Sequence, residues 1–196
     1  FTTIHNNVTI GSGTWIGSNV TIMEGARIGK NCRIFPGAVI SAIPQDLKYD
    51  DEETIVEIGD NVTIRECVTI NRGTSDRMKT VIGDNCLIHP NVSIYDNCVI
   101  GNNVVIHAGS VLGSDAFYYQ KRPAGFDKLV SGGRVVLEDN VELGSLCTID
   151  RGVTGDTVIR KGSKLDNQVQ GGHDTVIGRD CLIASQTSST VEQSVS

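Results

Sequence analysis

The sequence is poor in several features, and each scarcity excludes a class of protein. Aromatic residues make up only 5% of the 196 residues, a composition that suits a narrow core of aliphatic and small side chains. No hydrophobic run reaches the roughly 18 residues of a membrane span, and no signal-peptide pattern opens the chain. The formal net charge of −6 offers no basic face to a phosphate backbone. We therefore expect neither a membrane span nor a nucleic-acid partner.

What the chain does have is an aliphatic residue at every sixth position over most of its length. These repeat residues are Ile4, Ile10, Ile16, Ile22, Ile28, Ile34, Ile40, Ile58, Ile64, Ile70, Ile82, Ile88, Ile94, Ile100, Ile106, Leu112, Leu137, Leu143, Ile149, Ile159, Leu165, Ile177 and Ile183. Neither a helix nor an alternating strand produces a period of six. The period is typical of a hexapeptide-repeat parallel β-helix, so we predict a single-stranded β-helix of about eight coils. Residues 1–185 are assigned to this all-β domain, and residues 186–196 to a polar tail expected to be poorly ordered.

The six cysteines lack the spacing of a metal site, since no paired CxxC occurs. Five of them lie four residues after a repeat residue, in a slot that elsewhere holds small side chains such as Val8 and Ala26: Cys32, Cys86, Cys98, Cys147 and Cys181. We interpret these five as buried free thiols that act as small hydrophobic residues. Free thiols are typical of a reducing compartment, so we expect a cytoplasmic protein with no metal or other cofactor.

Two segments interrupt the six-residue repeat and are predicted to leave the rod as loop excursions. The first spans 41–56 and carries an acidic run, whereas the second spans 114–135 and carries aromatic and basic residues. Phe117 and Tyr118 belong to this second loop, which the fold itself does not require. The loop is either a binding element or a flap that packs these two side chains onto its own rod.

Four histidines are the side chains that titrate near neutral pH, and one of them stands apart. His5, His89 and His107 each follow a repeat residue directly, where a solvated side chain is the simplest interpretation. His173 instead lies in LDNQVQGGHDTVIG, where Gly171 occupies a position expected to be aliphatic. A nearby carboxylate or amide can fix the tautomer of a histidine and raise its basicity. The candidates for that role in the segment are Asp166, Asn167, Gln168, Gln170 and Asp174.

Three segments of the second half occur together in a specific order: VLGSDAFYY, then GGRVVLEDNVELGSLCTIDRGVTGDTVI, then KLDNQVQGGHDTVIG. Through them, residues 85–187 resemble the UDP-3-O-acylglucosamine N-acyltransferases of lipid A biosynthesis. In that family the histidine of the last motif is the catalytic base, which implies this role for His173. The resemblance also implies substrate binding by Asp166, Asn167 and Phe117, and a left-handed rod.

The first half carries GTWIGSNVTIMEGARIGKNCRIFPGAVISAIPQDLKY, followed by VEIGDNVTIRECVTINRGT. This half is similar to the UDP-N-acetylglucosamine O-acyltransferases, which start the same pathway. In that family the QDLKY block contacts the sugar nucleotide and the acyl group, which implies binding roles for Gln45, Asp46 and Lys48. The family's catalytic histidine lies in an HIAHDC-type segment, whereas the matching stretch here is SIYDNC. Asp96 therefore stands at the position of the base.

Both resemblances imply transfer of a 3-hydroxyacyl group from acyl carrier protein to a UDP-glucosamine derivative. We favour N-acyl transfer, with His173 as the base and a backbone N–H of the Gly171–Gly172 stretch as the oxyanion donor. Basic residues of the second half would steer an acidic carrier protein and hold a pyrophosphate. They are Lys121, Arg122, Lys128, Arg134, Arg151, Arg160, Lys161 and Lys164. A homotrimer of parallel rods is also expected, because closed symmetry buries one flat face per chain.

Two other functions fit the sequence. One is O-acyl transfer at the QDLKY site, which the aspartate at position 96 weakens. The other is a non-catalytic β-helix, either a truncated piece, a hybrid or a scaffold. The second alternative is raised because neither the uridine-binding domain of the N-acyltransferases nor the helical domain of the O-acyltransferases fits within residues 1–196.

Overall fold

The computed structural model describes residues 1–46 and 49–189 as a succession of short strands. In chain order these are β1 (Thr3–Ile4), β2 (Thr9–Ile10), β3 (Trp15–Ile16), β4 (Thr21–Ile22), β5 (Ala26–Ile28), β6 (Arg33–Ile34), β7 (Val39–Ala42), β8 (Ile55–Ile58), β9 (Thr63–Ile64), β10 (Thr69–Asn71), β11 (Lys79–Ile82), β12 (Leu87–Ile88), β13 (Ser93–Ile94), β14 (Val99–Ile100), β15 (Val105–Ile106), β16 (Val111–Ser114), β17 (Tyr119–Arg122), β18 (Gly125–Lys128), β19 (Val135–Leu137), β20 (Glu142–Leu143), β21 (Thr148–Asp150), β22 (Thr157–Ile159), β23 (Lys164–Leu165), β24 (Gln170–Gly171), β25 (Val176–Ile177), β26 (Leu182–Ile183) and β27 (Ser188–Ser189). None of the described residues forms a helix that could cross a membrane. The predicted binding residue Lys48 lies outside the described residues, as does 190–196 of the predicted tail.

Three parallel sheets run along the rod, and successive strands rotate among them. Sheet A has nine strands, in the order β1-β4-β7-β10-β13-β16-β21-β24-β27. Sheet B has eight, in the order β2-β5-β8-β11-β14-β19-β22-β25, and sheet C has eight, from β26 through β23, β20, β15, β12, β9 and β6 to β3. Within each of these sheets, an internal strand pairs with the strand one coil before it and the strand one coil after it. The predicted left-handed parallel β-helix is confirmed.

The repeat residues point into the rod and form one continuous core. From Ile22 to Ile177 each of them is at most 4% exposed. Ile4 is exposed and Ile10 only partly buried, because the first coil has a neighbour on one side alone. Burying one such side chain contributes roughly 1.5–3 kcal/mol, so the regular stack of isoleucines accounts for the rod's cohesion.

Each corner that is not expanded into a loop has a residue with positive φ, three positions after a position of the six-residue repeat. Asparagine and glycine usually stand there, as at Asn61 (φ 58°) and Gly25 (φ 82°), because both tolerate the left-handed region. Cys67 and Leu146, each with φ 57°, are exceptions. The corner chemistry therefore reinforces the register that the core residues set.

The cysteines largely match their prediction. All six are free thiols. Four of the five slot cysteines are buried: Cys32, Cys86, Cys98 and Cys147. The prediction is wrong for Cys181, which is only partly buried because it lies in the last described full coil. Cys67, outside the slot, is exposed.

The two predicted excursions are present, with slightly different ends. Strand β7 continues through Ala42 and β8 begins at Ile55, so the described residues of the first loop are 43–46 and 49–54. The second loop covers 115–134 and contains the antiparallel hairpin of β17 and β18. Two shorter loops that the repeat did not predict cover 72–78, after β10, and 151–156, after β21. Strand β27 pairs with β24, so the parallel ladder also extends beyond the predicted domain end.

Candidate active site

His173 lies at the corner that leads from sheet A to sheet B, directly after β24. Its Nδ1 is 2.8 Å from Asp174 Oδ2, and its ring is 5.6 Å from that of Tyr118 in the second loop. Gly171 explains why the repeat breaks here. A Cβ at this position would lie 2.9 Å from Ile149 Cδ1, so the isoleucine of the preceding coil already fills the core.

Asp174 holds the imidazole and is itself held by the loop before it. It adopts φ 57°, and its Oδ1 accepts hydrogen bonds from the backbone N–H groups of Val153, Thr154 and Gly155 at 2.8–3.1 Å. Burial acts to raise the pKa of this carboxyl, but the Gly155 N–H, His173 and the other backbone donors outweigh it and lower the pKa. An ionised Asp174 accepts from Nδ1–H, which leaves Nε2 of His173 as the proton acceptor.

A second carboxylate, that of Asp150, faces the same corner. Ser114 Oγ donates to its Oδ1 at 2.6 Å, and Gln170 Nε2 donates to its Oδ2 at 3.0 Å. Burial raises the pKa of Asp150, although Ser114 and the nearby His173 oppose the shift. A carboxyl group with a perturbed pKa beside a histidine is typical of a functional site. Sequence reasoning missed Asp150. The feature that could have indicated it is the acidic residue of TIDRG, which follows the inward-facing Ile149 and ends the strand. The structure shows that the pairing register shifts at this strand end.

Gln45 and Asp46, predicted from the first-half resemblance, line a polar pocket of about 370 Å³. The other lining residues are Tyr95, Asp96, Ser114, Asp115, Lys128 and Arg151. Ser114 connects this pocket to Asp150 and thus to the corner of His173. Residues that the two resemblances assigned separately therefore meet along one edge of the rod.

We expected Arg151 to belong to a basic patch that steers the carrier protein, but its side chain is buried. It is only 4% exposed and donates from Nη1 and Nη2 to Asp96 at 3.2 and 2.8 Å. Asp96 is likewise buried, at 1% exposure. A buried carboxylate with two guanidinium bonds has no free access to an acceptor hydroxyl. The position of the O-acyltransferase base is thus occupied by a structural ion pair.

The corner of His173 has an earlier counterpart in the same rod. Ile70 pairs with Ile94, and Ile149 pairs with Gly171, so Asp96 and His173 each stand two residues past an equivalent strand end. The next residue of each corner accepts a backbone N–H from the preceding loop, Asn97 from Thr74 at 3.1 Å and Asp174 as described. Of these two equivalent corners, the later one carries a histidine.

Asp166 and Asn167 lie at the other end of β24, at the corner between sheets C and A. Asp166 Oδ1 accepts from the Asn167 N–H, and Asn167 Oδ1 accepts from the Ser145 N–H, both at 2.7 Å. They line a separate open pocket of about 510 Å³ with His107, Glu142 and Lys164. Asp166 and Asn167 therefore do not lie beside His173 of the same chain, contrary to expectation. Their role in substrate binding stays a prediction.

Phe117 projects from the base of the hairpin and is 85% exposed, so the flap alternative is wrong for this side chain. Its ring is 5.1 Å from that of Tyr119, and the two border an apolar cavity of about 310 Å³ with Phe126. Tyr118 turns the other way, toward His173. The hairpin therefore presents an apolar surface beside the candidate base.

The other histidines lie elsewhere. The rings of His89 and His107 stack at 4.7 Å on sheet C, and His107 Nε2 is 3.1 Å from Glu142 Oε1. Burial, together with His107 and Arg65, lowers the pKa of His89. His5 is exposed in the first coil. Across the described part of the chain, no group of three or more His, Cys, Asp or Glu residues is arranged to hold a metal ion.

The rod is a hexapeptide-repeat β-helix, and the family model "Bacterial transferase hexapeptide (six repeats)" matches residues 7–42 and 79–114. Over 72 residues the chain is 56% identical to the UDP-3-O-acylglucosamine N-acyltransferase of Rhizobium rhizogenes, covering 37% of this chain and 20% of that protein. Over 123 residues it is 41% identical to the enzyme of the same name from Sinorhizobium fredii, covering 62% of this chain and 29% of that protein. The chain spans less than a third of the length of these curated relatives.

Solved structures give the complementary likeness. A UDP-N-acetylglucosamine acyltransferase is 28% identical, with a TM-score of 0.65 over 94% of this chain and 67% of that one. The UDP-N-acetylglucosamine acyltransferase of Francisella novicida is 24% identical, with a TM-score of 0.76 over 94% of this chain and 65% of that one, and shows the fold alone. The predicted double resemblance to N- and O-acyltransferases is confirmed.

Proposed function

We propose that the protein transfers a 3-hydroxyacyl group from acyl carrier protein to the amine of a UDP-glucosamine derivative in lipid A biosynthesis. The observation that carries this proposal is the pair of His173 and Asp174, an oriented imidazole beside a polar pocket. The pair lies in the motif that resembles the N-acyltransferases. O-acyl transfer is less favoured because Asp96, at the corresponding earlier corner, is buried against Arg151.

The proposed chemistry is general-base catalysis at one nitrogen. His173 Nε2 takes a proton from the acceptor amine while the amine nitrogen attacks the carbonyl carbon of the thioester. The C–N bond forms, the C–S bond breaks, and the imidazolium returns the proton to the leaving thiolate. Such a base typically contributes about 10²–10⁴-fold. A backbone N–H of the Gly171–Gly172 stretch is proposed to stabilise the oxyanion.

The substrate would occupy the two surfaces that adjoin His173. Gln45 and Asp46 offer hydrogen-bonding groups suited to the UDP-sugar at the polar pocket. Phe117, with its aromatic neighbours on the hairpin, offers apolar area suited to an acyl chain. This assignment predicts that Phe117→Ser weakens acyl binding and leaves thermal stability unchanged, because the ring is exposed in the free protein.

A homotrimer would bring the remaining predicted residues to the same site. Asn167 and His173 are six positions apart and lie at opposite ends of β24, so they stand at different corners of one rod. A threefold arrangement can set the Asn167 corner of one rod against the His173 corner of the next. Sedimentation equilibrium should give three chains per particle, and a monomer would contradict this arrangement.

A cytoplasmic location belongs to the same proposal. Six free thiols are consistent with a reducing compartment, which is also where a carrier-protein thioester is available. Periplasmic fractionation of the expressed protein would contradict it.

The direct test supplies 3-hydroxyacyl carrier protein with two competing acceptors. One is a UDP-3-O-acylglucosamine, which has a free amine, and the other is UDP-N-acetylglucosamine, which has only hydroxyls. The expected product is an amide of the first acceptor, recognised by its mass and by the newly transferred acyl group, which stays attached in hydroxylamine while the 3-O-ester of the acceptor is cleaved. A hydroxylamine-sensitive ester of the second acceptor would overturn N-acyl transfer in favour of O-acyl transfer. A folded protein that makes neither product would favour a scaffold.

A further inference from the structure

We infer that Arg151 is a positioning residue that ties both loop excursions to the strand end beside His173. Asp96 serves as its buried anchor. This inference deepens the proposed function, because the same edge of the rod would hold the acceptor. Its structural part can nevertheless be tested without any activity.

The guanidinium of Arg151 is fixed from inside the rod. In addition to the two bonds to Asp96, its Nε donates to the Gly113 carbonyl at 2.8 Å. Asp96 in turn accepts from Asn97 Nδ2 at 3.0 Å, so the anchor cannot rotate freely. A planar guanidinium held on its Nε and both terminal nitrogens has one orientation.

From this fixed position the guanidinium reaches the start of each loop. Its Nη1 is 3.8 Å from Asp46 Oδ2 in the first loop, and its Nε is 3.9 Å from Asp115 Oδ1 in the second. These are ionic contacts rather than hydrogen bonds. Lys128 also pairs with Asp115, at 2.6 Å. Without the guanidinium of Arg151, however, the carboxylates of Asp46 and Asp96 would repel one another along this edge of the rod.

The earlier corner shows the same device in a simpler form. Arg72, which follows β10 as Arg151 follows β21, donates to the hydroxyl of Tyr49 in the first loop. The first loop is thus held by two arginines that follow equivalent strands. Asp96 stands at the position of the earlier corner that corresponds to His173 in the later corner, and its carboxylate anchors Arg151. The earlier corner therefore supports the later one.

Amide hydrogen exchange measured by mass spectrometry tests the inference. Arg151→Lys keeps the charge but loses the forked geometry. Amides of the first loop (43–46 and 49–54) and of the second loop (115–134) should therefore exchange about tenfold faster or more. The strands β13 and β16 should keep their protection. The matched control is Arg65→Lys, which removes a similar bidentate pair with Glu66 at 2.9 and 3.0 Å on sheet C and should leave both loops unchanged.

A neutral double variant separates positioning from charge burial. Asp96→Asn with Arg151→Gln removes the buried ions together, so thermal stability should stay near that of the unmutated protein. Both loops should still exchange faster, because an amide cannot reach both of them. Restored loop protection in the double variant would overturn the inference. So would a uniform loss of protection along the rod, or a change confined to one loop, in Arg151→Lys. If the lysine variant does not fold, the double variant decides.

Kinetics supply the readout that a merely structural residue would not move. Arg151→Lys should raise KM for the UDP-sugar at least tenfold and also raise KM for the acyl carrier protein, because the second loop carries Phe117, while kcat changes much less. A fall in kcat with both KM values unchanged would count against positioning of the two loops. If the unmutated protein shows no transfer, the proposed function fails, whereas the exchange experiment still decides the role of Arg151.

Discussion

Replacing Asp174 with asparagine should invert the tautomer of His173. In the native corner the carboxylate accepts from imidazole Nδ1–H, which leaves Nε2 unprotonated. An asparagine can keep its Oδ1 on the Thr154 and Gly155 N–H groups. Its NH₂ group then points at Nδ1 as a donor, and the imidazole must carry its proton on Nε2. That nitrogen no longer accepts a proton from the acceptor.

The size of the effect follows from the bonds that are lost. A hydrogen bond to a charged group is worth about 1.5–3 kcal/mol, and the change removes one such bond and weakens the others. We expect a loss of about 2 kcal/mol, or a Tm about 4–8 °C lower. Transfer should fall by about 10²–10⁴-fold, the usual contribution of a general base. The pKa of Asp174 is lowered on folding, so its stabilisation is complete above about pH 4 and is lost as pH falls further.

Long-range ¹H–¹⁵N NMR of the histidine ring reports the tautomer directly. The unmutated protein should show Nδ1–H, and Asp174→Asn should show Nε2–H together with the lower rate. Asp156→Asn is the control. This aspartate belongs to the same loop, but its Oδ2 pairs with Arg134 Nε at 3.0 Å and not with His173. An unchanged tautomer with an unchanged rate in Asp174→Asn would refute the orientation argument. The gap in Tm between the variant and the native protein should also close below about pH 4.

Three further outcomes follow from individual residues. Asp150→Asn should raise Tm at neutral pH and lower the rate of transfer. Burial raises the pKa of this carboxyl, so ionising it in the folded protein costs stability at and above the folded pKa, whereas below about pH 4 there is no cost. A Tm that falls at pH 7 would contradict this. Leu146→Asn should stabilise the rod by about 1 kcal/mol in urea unfolding, because asparagine suits φ 57°. Iodoacetamide at pH 8 should label exposed Cys67 first and Cys98 last, since burial raises the pKa of the Cys98 thiol to about 12.

The fold could be predicted from the sequence because each strand places one side chain in the core. Ile64 and Ile70 are successive inward residues on two different sheets, so a single period of six describes the whole rod. The asparagines at the corners repeat with the same period for a separate reason, their tolerance of positive φ. Two independent signals therefore agreed.

The candidate site was only partly predictable, because its partners come from distant coils. Asp96 and Arg151 are 55 positions apart, and the length of the loop between them, 115–134, is not a multiple of six. No periodic pattern indicates that these two side chains meet. The grouping of Asp166 with His173 failed for a different reason. Residues seven positions apart differ by more than one hexad and must lie at different corners of the prism.

The most direct measurement compares the rate of amide formation by the unmutated protein with that of His173→Ala. His5→Ala is the control, since this histidine is exposed in the first coil. The account predicts a loss of about 10²–10⁴-fold for His173→Ala, in a rod that still folds and whose Tm falls by no more than that of Asp174→Asn, since the bond to Asp174 is lost. Full activity is expected in His5→Ala. If His173→Ala transfers the acyl group as fast as the unmutated protein, the assignment of His173 as the base is wrong, and so is the proposed function built on it.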